Sequence, residues 1–93
     1  MFNKTELEKI LVKNWTEFLE IRKAMEFIKT MASKELKMND PKIKKLSVSN
    51  CSFTDRGIIF WIESNIINSN SNVNITTEIL IRHNKNIEHI KTI

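Results

Sequence analysis

The chain has few of the residues that interrupt regular structure or build catalytic loops. Its 93 residues include one glycine, one proline, one cysteine and no tyrosine. A lone cysteine excludes an intramolecular disulfide and is typical of a reducing compartment, so we expect a cytoplasmic location. A single glycine also excludes the glycine-rich loops that hold phosphates with backbone N–H groups.

Long hydrophobic runs are missing too. Charged residues recur every few positions from Lys4 to Asp40, and the N-terminus lacks the apolar stretch of a signal peptide. We therefore expect no membrane segment and no membrane partner. The length predicts a single domain over residues 1–93 with one core.

Lysine, asparagine and isoleucine are abundant, as AT-rich codons produce. Such composition is common in phages, plasmids and AT-rich bacteria, and it favours a phage or other mobile element as the origin. We therefore expect part of the formal net charge of +4 to reflect this composition and not selection for a partner.

Residues 3–38 have the apolar spacing of one amphipathic helix. The predicted core stripe recurs every third or fourth residue and comprises Leu7, Leu11, Trp15, Phe18, Ile21, Met25, Ile28, Ala32 and Leu36.

The ends of this helix are marked by capping residues. Asn3 is a suitable N-cap, and Phe2 with Leu7 fits a hydrophobic staple. The segment Asn39-Asp40-Pro41 predicts the end. The alternative to one continuous helix is a break near Asn14, with Asn14 and Glu17 forming a second cap.

From about residue 45 onward, apolar and polar residues alternate. This pattern predicts strands at about 45–53, 73–82 and 87–92. The run from Ile58 to Ile62 is apolar in both parities and predicts a central strand at about 58–67. A change of parity indicates a bulge near Asn50, and Gly57 falls where a tight turn requires positive φ. The fold class is therefore α+β, with a long N-terminal amphipathic helix followed by a three- to four-stranded antiparallel β-meander packed on it.

Residues that build common catalytic sites are sparse. The spacing of His83 and His89 with Glu88 or Cys51 matches no standard zinc pattern. Cys51 with a histidine lacks a glycine-rich oxyanion loop and a motif for the orienting acid. We predict no enzyme, no catalytic, cofactor or metal site and no small-molecule substrate. A metal-dependent or thiol enzyme is the third-ranked alternative.

The excess positive charge is local. Residues 1–40 carry eight basic and seven acidic side chains, and residues 51–93 carry four of each. The excess comes from Lys42, Lys44 and Lys45, to which Lys34 and Lys37 add on the last helical turns. This patch predicts an acidic protein partner or nucleic-acid phosphates, although lysines also complement a helix C-terminus.

Two further apolar sets lie off the predicted core. Phe27, Met31 and Met38 form a second helical stripe, and Ile59, Trp61 and Leu80 have the parity of the outer sheet face. Exposed aromatic and methionine side chains are typical of interfaces. The alternative is that the connector or a curved sheet covers more than one face of the helix, so that these residues belong to the core.

These features predict a small non-enzymatic cytosolic regulator, adaptor or inhibitor that acts by protein–protein contact, with a protein partner, a homodimer or both. The alternative is direct binding of DNA or RNA through the lysine patch.

Overall fold

The computed structural model describes residues 3–92. Two helices precede four strands, with the bounds α1 Lys4–Lys13, α2 Ile21–Glu35, β1 Lys42–Thr54, β2 Gly57–Ile67, β3 Asn72–Arg82 and β4 Ile87–Thr92. The strands form one antiparallel sheet in the order β1-β2-β3-β4. The helices pack on one face of this sheet, so the predicted α+β class and meander are confirmed.

The strands lie close to their predicted positions because alternation marks half-buried strands directly. The largest difference is at β1, which begins at Lys42 and thus includes Lys44. The predicted bulge is confirmed by a register shift between Val48 and Asn50, and a second shift lies between Ile43 and Lys45. Gly57 has φ +148°, as its turn position predicted.

A single helix over residues 3–38 is wrong. α1 ends at Lys13, a 3₁₀ turn follows at Trp15–Glu17, and α2 begins at Ile21. The break near Asn14 is therefore confirmed, but the second cap is not. The Asn14 side-chain amide donates backwards to the Ile10 carbonyl at 3.1 Å, and among the described residues no side-chain hydrogen bond caps the 3₁₀ turn.

The predicted N-terminus of the helical region is confirmed, and its predicted C-terminus is wrong. Asn3 is the N-cap, since its Oδ1 accepts the Glu6 N–H at 2.8 Å. The predicted staple includes Phe2, which lies outside the described residues. α2 ends at Glu35, earlier than Asn39, because Lys37 takes a left-handed conformation (φ 54°) and the Met38 N–H bonds the Ala32 carbonyl at 3.2 Å.

The interruption between the helices changes which residues reach the core. A 3₁₀ turn and four non-helical residues break the 100° steps on which the predicted stripe depended. The face of α2 that is buried consists of Ala24, Ile28, Met31 and Ala32. The predicted stripe is wrong at Leu7, Phe18, Ile21 and Leu36, whose side chains are exposed.

The core lies between the helices and the inner face of the sheet. Phe60, Ile62 and Ile79 of the central strands are fully buried and belong to one cluster with Ile28 and Ala32 of α2. In the part of the chain that the structure describes, no helix lies on the other face of the sheet.

Candidate functional site

The face of the sheet turned away from the helices is termed the open face. Its side chains in the two central strands are Ile59, Trp61, Glu63, Asn65 and Ile67 of β2 and Asn74, Thr76, Glu78 and Leu80 of β3, as cross-strand register and parity show. Ile59 and Trp61 are half-buried, so part of each side chain reaches solvent. The open face therefore presents an aromatic centre.

Acidic groups surround that aromatic centre. Glu78 lies directly opposite Trp61 in the register of β2 and β3, and Glu63 follows Trp61 on the same side of β2. On β4, Lys91 lies opposite Glu78. The centre of the open face thus carries charges of both signs around an indole.

A polar trough of about 340 Å³ adjoins this centre. On the open face it is lined by Lys45, Ser47, Glu63, Asn65, Asn74 and Thr76. The Asn65 amide donates to Asn72 Oδ1 at 2.7 Å and to Asn74 Oδ1 at 2.8 Å. These bonds hold an asparagine ladder across two strands and leave hydrogen-bonding groups at the surface.

The trough borders the free edge of β1. We term Lys42, Lys44 and Lys45, together with the backbone of residues 42–48, the lysine edge. By register, Lys42 and Lys45 point to the open face, while Lys44 lies at the first register shift. All three are exposed, and β1 contains no acidic residue.

The structure brings only part of the predicted lysine patch onto one element. Lys34 lies in the last turn of α2, and Lys37 lies in the connector to β1. Both are exposed. Among residues 3–92 none of the five predicted lysines forms an ion pair with a carboxylate, so their charge is available to a ligand.

The other half of the β1 edge is already closed. The Phe53 N–H donates to the Glu8 carboxylate of α1 at 2.8 Å, and the Cys51 N–H donates to Asn50 Oδ1 at 2.9 Å. These are the backbone groups that an additional strand would bind. Within the described residues, no comparable bond covers the free side of β1 between Ile43 and Val48.

Cys51 is suited to packing and not to nucleophilic chemistry. Its thiol is buried and donates to the Glu8 carbonyl at 3.1 Å. Burial, with a smaller contribution from the Glu8 charge, raises the pKa of the Cys51 thiol. The thiolate that attacks electrophiles or binds metals is therefore disfavoured at neutral pH.

A chain of three polar side chains between α2 and β4 was missed by sequence reasoning. His89 Nδ1 lies 3.3 Å from the Glu35 carboxylate, and His89 Nε2 lies 2.8 Å from Thr92 Oγ1. The order acid, imidazole, hydroxyl is that of hydrolytic triads. Here the Thr92 hydroxyl also bonds Met31 Sδ at 3.4 Å, in a packed contact between β4 and α2. These side-chain contacts hold β4 against α2.

Half of the predicted protein-contact residues are not at the surface. Met31 and Met38 lie in the core because the helix break turns their side of α2 and the connector toward the sheet. Leu80 is only 2% exposed, since it lies on a central strand between Ile59 and Glu88. The surface assignment of these three residues is wrong.

The other predicted contact residues keep some exposure. Phe27 is half-buried beside the His89 ring, with ring centroids 6.1 Å apart, and Ile59 and Trp61 lie on the open face. Among residues 3–92, the bulky apolar residues that reach solvent most are Phe18 and Ile21, at 51% and 49% exposure. Phe18 lies in the connection between the helices and Ile21 is the first residue of α2, so only knowledge of the break would have revealed them.

Further observations concern metals, membranes and relatives. Within residues 3–92, no group of three or more His, Cys, Asp or Glu side chains is placed to hold a metal ion. No helix in the same range is long and apolar enough to cross a membrane. Comparisons with family models, with curated proteins and with solved structures found no match to this chain.

Proposed function

We propose that this chain is a small, non-enzymatic cytoplasmic regulator, adaptor or inhibitor that acts by contact with another protein through the open face. The observation that supports this proposal is the one-sided packing of the helices, which leaves Trp61 and Ile59 partly exposed at the centre of an uncovered sheet. Tryptophan at the centre of a surface is the residue type most often found at binding hot spots.

The charges around Trp61 favour a protein over a nucleic acid. Glu63 and Glu78 lie beside the indole and would repel the phosphates of a strand whose bases stacked there. A protein surface, with both signs of charge, can complement Glu78 and Lys91 together. A homodimer through the open face is one form of such contact.

Direct binding of DNA or RNA is the second candidate. It is supported by the five exposed lysines, which have no carboxylate partner within the described residues. Neutralising phosphates with lysine releases counterions, so the affinity would fall steeply as salt rises. A steep fall of affinity with salt would therefore distinguish nucleic-acid binding from contact with a protein.

A photo-crosslinking amino acid at position 61 tests the protein-contact role. The variant is produced in cells of the organism from which the chain comes. A control variant carries the same amino acid at Lys29, which is exposed on α2. We expect protein adducts, or a covalent dimer, from position 61 and none from position 29. Truncation by Trp61→Ala is expected to weaken the identified contact at least tenfold, about 1.4 kcal/mol, without unfolding.

Light scattering at two salt concentrations, with and without mixed oligonucleotides, provides the opposing readout. Concentration-dependent mass in the absence of oligonucleotide supports self-association. Salt-sensitive binding of oligonucleotides, with no protein adduct from position 61, would replace the protein-contact proposal by the nucleic-acid one.

A further inference from the structure

We propose that the lysine edge binds a short acidic segment of the partner protein, which adds to the sheet as a fifth strand beside β1. This inference rests on the proposed protein-contact function and specifies the partner's chemistry. Strand addition combines main-chain hydrogen bonds with side-chain recognition, and it requires an uncovered edge.

The backbone of the lysine edge has the required orientation. In a strand, side chains and backbone N–H groups alternate with the same period. Phe53 and Cys51 point their side chains toward the helices and their N–H groups away from β2, to Glu8 and Asn50. Beyond the register shift at Val48, the residues facing the helices are Val48 and Leu46. Their N–H groups therefore point out of the free edge.

The two register shifts limit the length of the segment. Regular pairing is interrupted between Ile43 and Lys45 and again between Val48 and Asn50. Only residues 45–48 can serve as an uninterrupted template. Beyond Val48, the N–H groups of the edge already donate to the side chains of Asn50 and Glu8. A long strand is therefore excluded, and a segment of about four residues fits.

The charge of the edge selects the chemistry of the segment. Charged side chains, lysine especially, protect a sheet edge from nonspecific pairing. This edge carries Lys42, Lys44 and Lys45 with no acidic residue anywhere in β1. Opposite charges on neighbouring strands stabilise the pair, and like charges destabilise it. Two copies of the lysine edge would therefore repel each other, and an acidic strand would be attracted.

Synthetic peptides test this assignment with the intact protein. The probe is a nine-residue peptide of alternating glutamate and valine. The controls are an alternating lysine and valine peptide and the acidic peptide with all of its backbone nitrogens methylated, which has no N–H group left to donate to β1. We expect the acidic peptide alone to shift the Leu46 and Val48 amide resonances and to slow their hydrogen exchange.

Charge reversal gives the matched comparison. The triple variant Lys42→Glu, Lys44→Glu, Lys45→Glu is expected to bind the acidic peptide at least tenfold more weakly and to prefer the basic one. The control triple Lys13→Glu, Lys29→Glu, Lys85→Glu makes the same change in net charge at exposed positions outside β1 and is expected to bind the acidic peptide to within about threefold of the unmodified protein. Circular dichroism confirms that both variants fold.

Three results would overturn strand addition. These are equal binding of the N-methylated peptide, equal weakening by the two triple variants, and oligonucleotide binding at the lysines without protection of the Leu46 and Val48 amides. Adducts from position 61 together with any of these results would leave the proposed function standing. If the acidic peptide adds as a strand but position 61 gives no adducts, the contact uses the lysine edge and not the open face.

Discussion

At the scale of single residues, Gly57 has no room for a side chain. Its φ of +148° is a conformation that residues with a Cβ rarely adopt, and a Cβ there would collide with the Ile81 carbonyl oxygen of the neighbouring strand. We expect Gly57→Ala to lower the free energy of unfolding by about 2 kcal/mol or more, measured by urea denaturation. Asp55→Ala, in the same turn, is the control and should change it much less.

A substitution at Thr77 is expected to raise the free energy of unfolding, in contrast to Gly57→Ala. Its hydroxyl is fully buried on the inner face and has no hydrogen-bond partner within the described residues. Thr77→Val keeps the shape and removes the unsatisfied group, so thermal unfolding should show a gain of about 1 kcal/mol. Thr76→Val, on the half-exposed open face, should be nearly neutral. A loss of stability at position 77 would mean that the hydroxyl is bonded in solution.

At the scale of elements, Glu8 joins α1 to β1. Glu8→Ala leaves the Phe53 N–H without its acceptor and should cost about 1–2 kcal/mol in a denaturant titration. Glu8→Gln keeps an acceptor oxygen and should cost less. Because the Glu8 charge contributes to the raised pKa of Cys51, Glu8→Gln should also lower that pKa, as thiolate absorbance against pH would show. An unchanged Cys51 titration would contradict this coupling.

The elements also show what periodicity can and cannot predict. The last three strands were predicted to within one residue, since the side-chain pattern of a strand follows directly from its burial, whereas β1 begins three residues before its predicted start. The bulge at Asn50 was visible as a change of parity. The orientation of α2 was not, because a 3₁₀ turn has no apolar signature of its own and a few irregular residues between helices erase the relative phase. Met31 therefore appeared to be outside and Ile21 inside.

The candidate site was predictable to a similar, limited degree. The cluster Lys42, Lys44 and Lys45 is evident from charge counting alone. That it lies on a sheet edge depends on the long-range position of β1, and the closing contact from Glu8 to Phe53 spans 45 residues. Leu80 shows the same limit, since parity placed it on the open face but only its central strand explains why it is buried.

At the scale of the whole molecule, an exposed ion cluster joins three parts of the chain. Glu88 of β4 contacts Arg82 of β3 at 2.6 Å and Arg56 of the first hairpin at 3.2 Å. The hydrogen bond from Arg82, followed by the charges of Arg82 and Arg56, holds the pKa of Glu88 below its usual range. The native state therefore favours the ionised carboxylate.

The sign of the pH dependence follows from that shift. Glu88 contributes stability above the ordinary carboxyl pKa, and this contribution is lost as the pH falls through the lowered native value. We expect Glu88→Gln to melt at a lower temperature than the unmodified protein near neutral pH, with the difference vanishing in acid. The control Glu26→Gln, exposed on α2, should show little difference at either pH. A difference that persists in acid would contradict the ionic origin.

Each strand of this sheet pairs with the strand that precedes or follows it in the chain, through turns at 55–56, 68–71 and 83–86. No crossover has to wait for a distant segment, so little loop-closure entropy is lost before a ladder begins to form. Hairpins can assemble in succession from either side of β2. The chain should consequently reach its native state faster than sandwiches and barrels of equal length, which must first join remote strands.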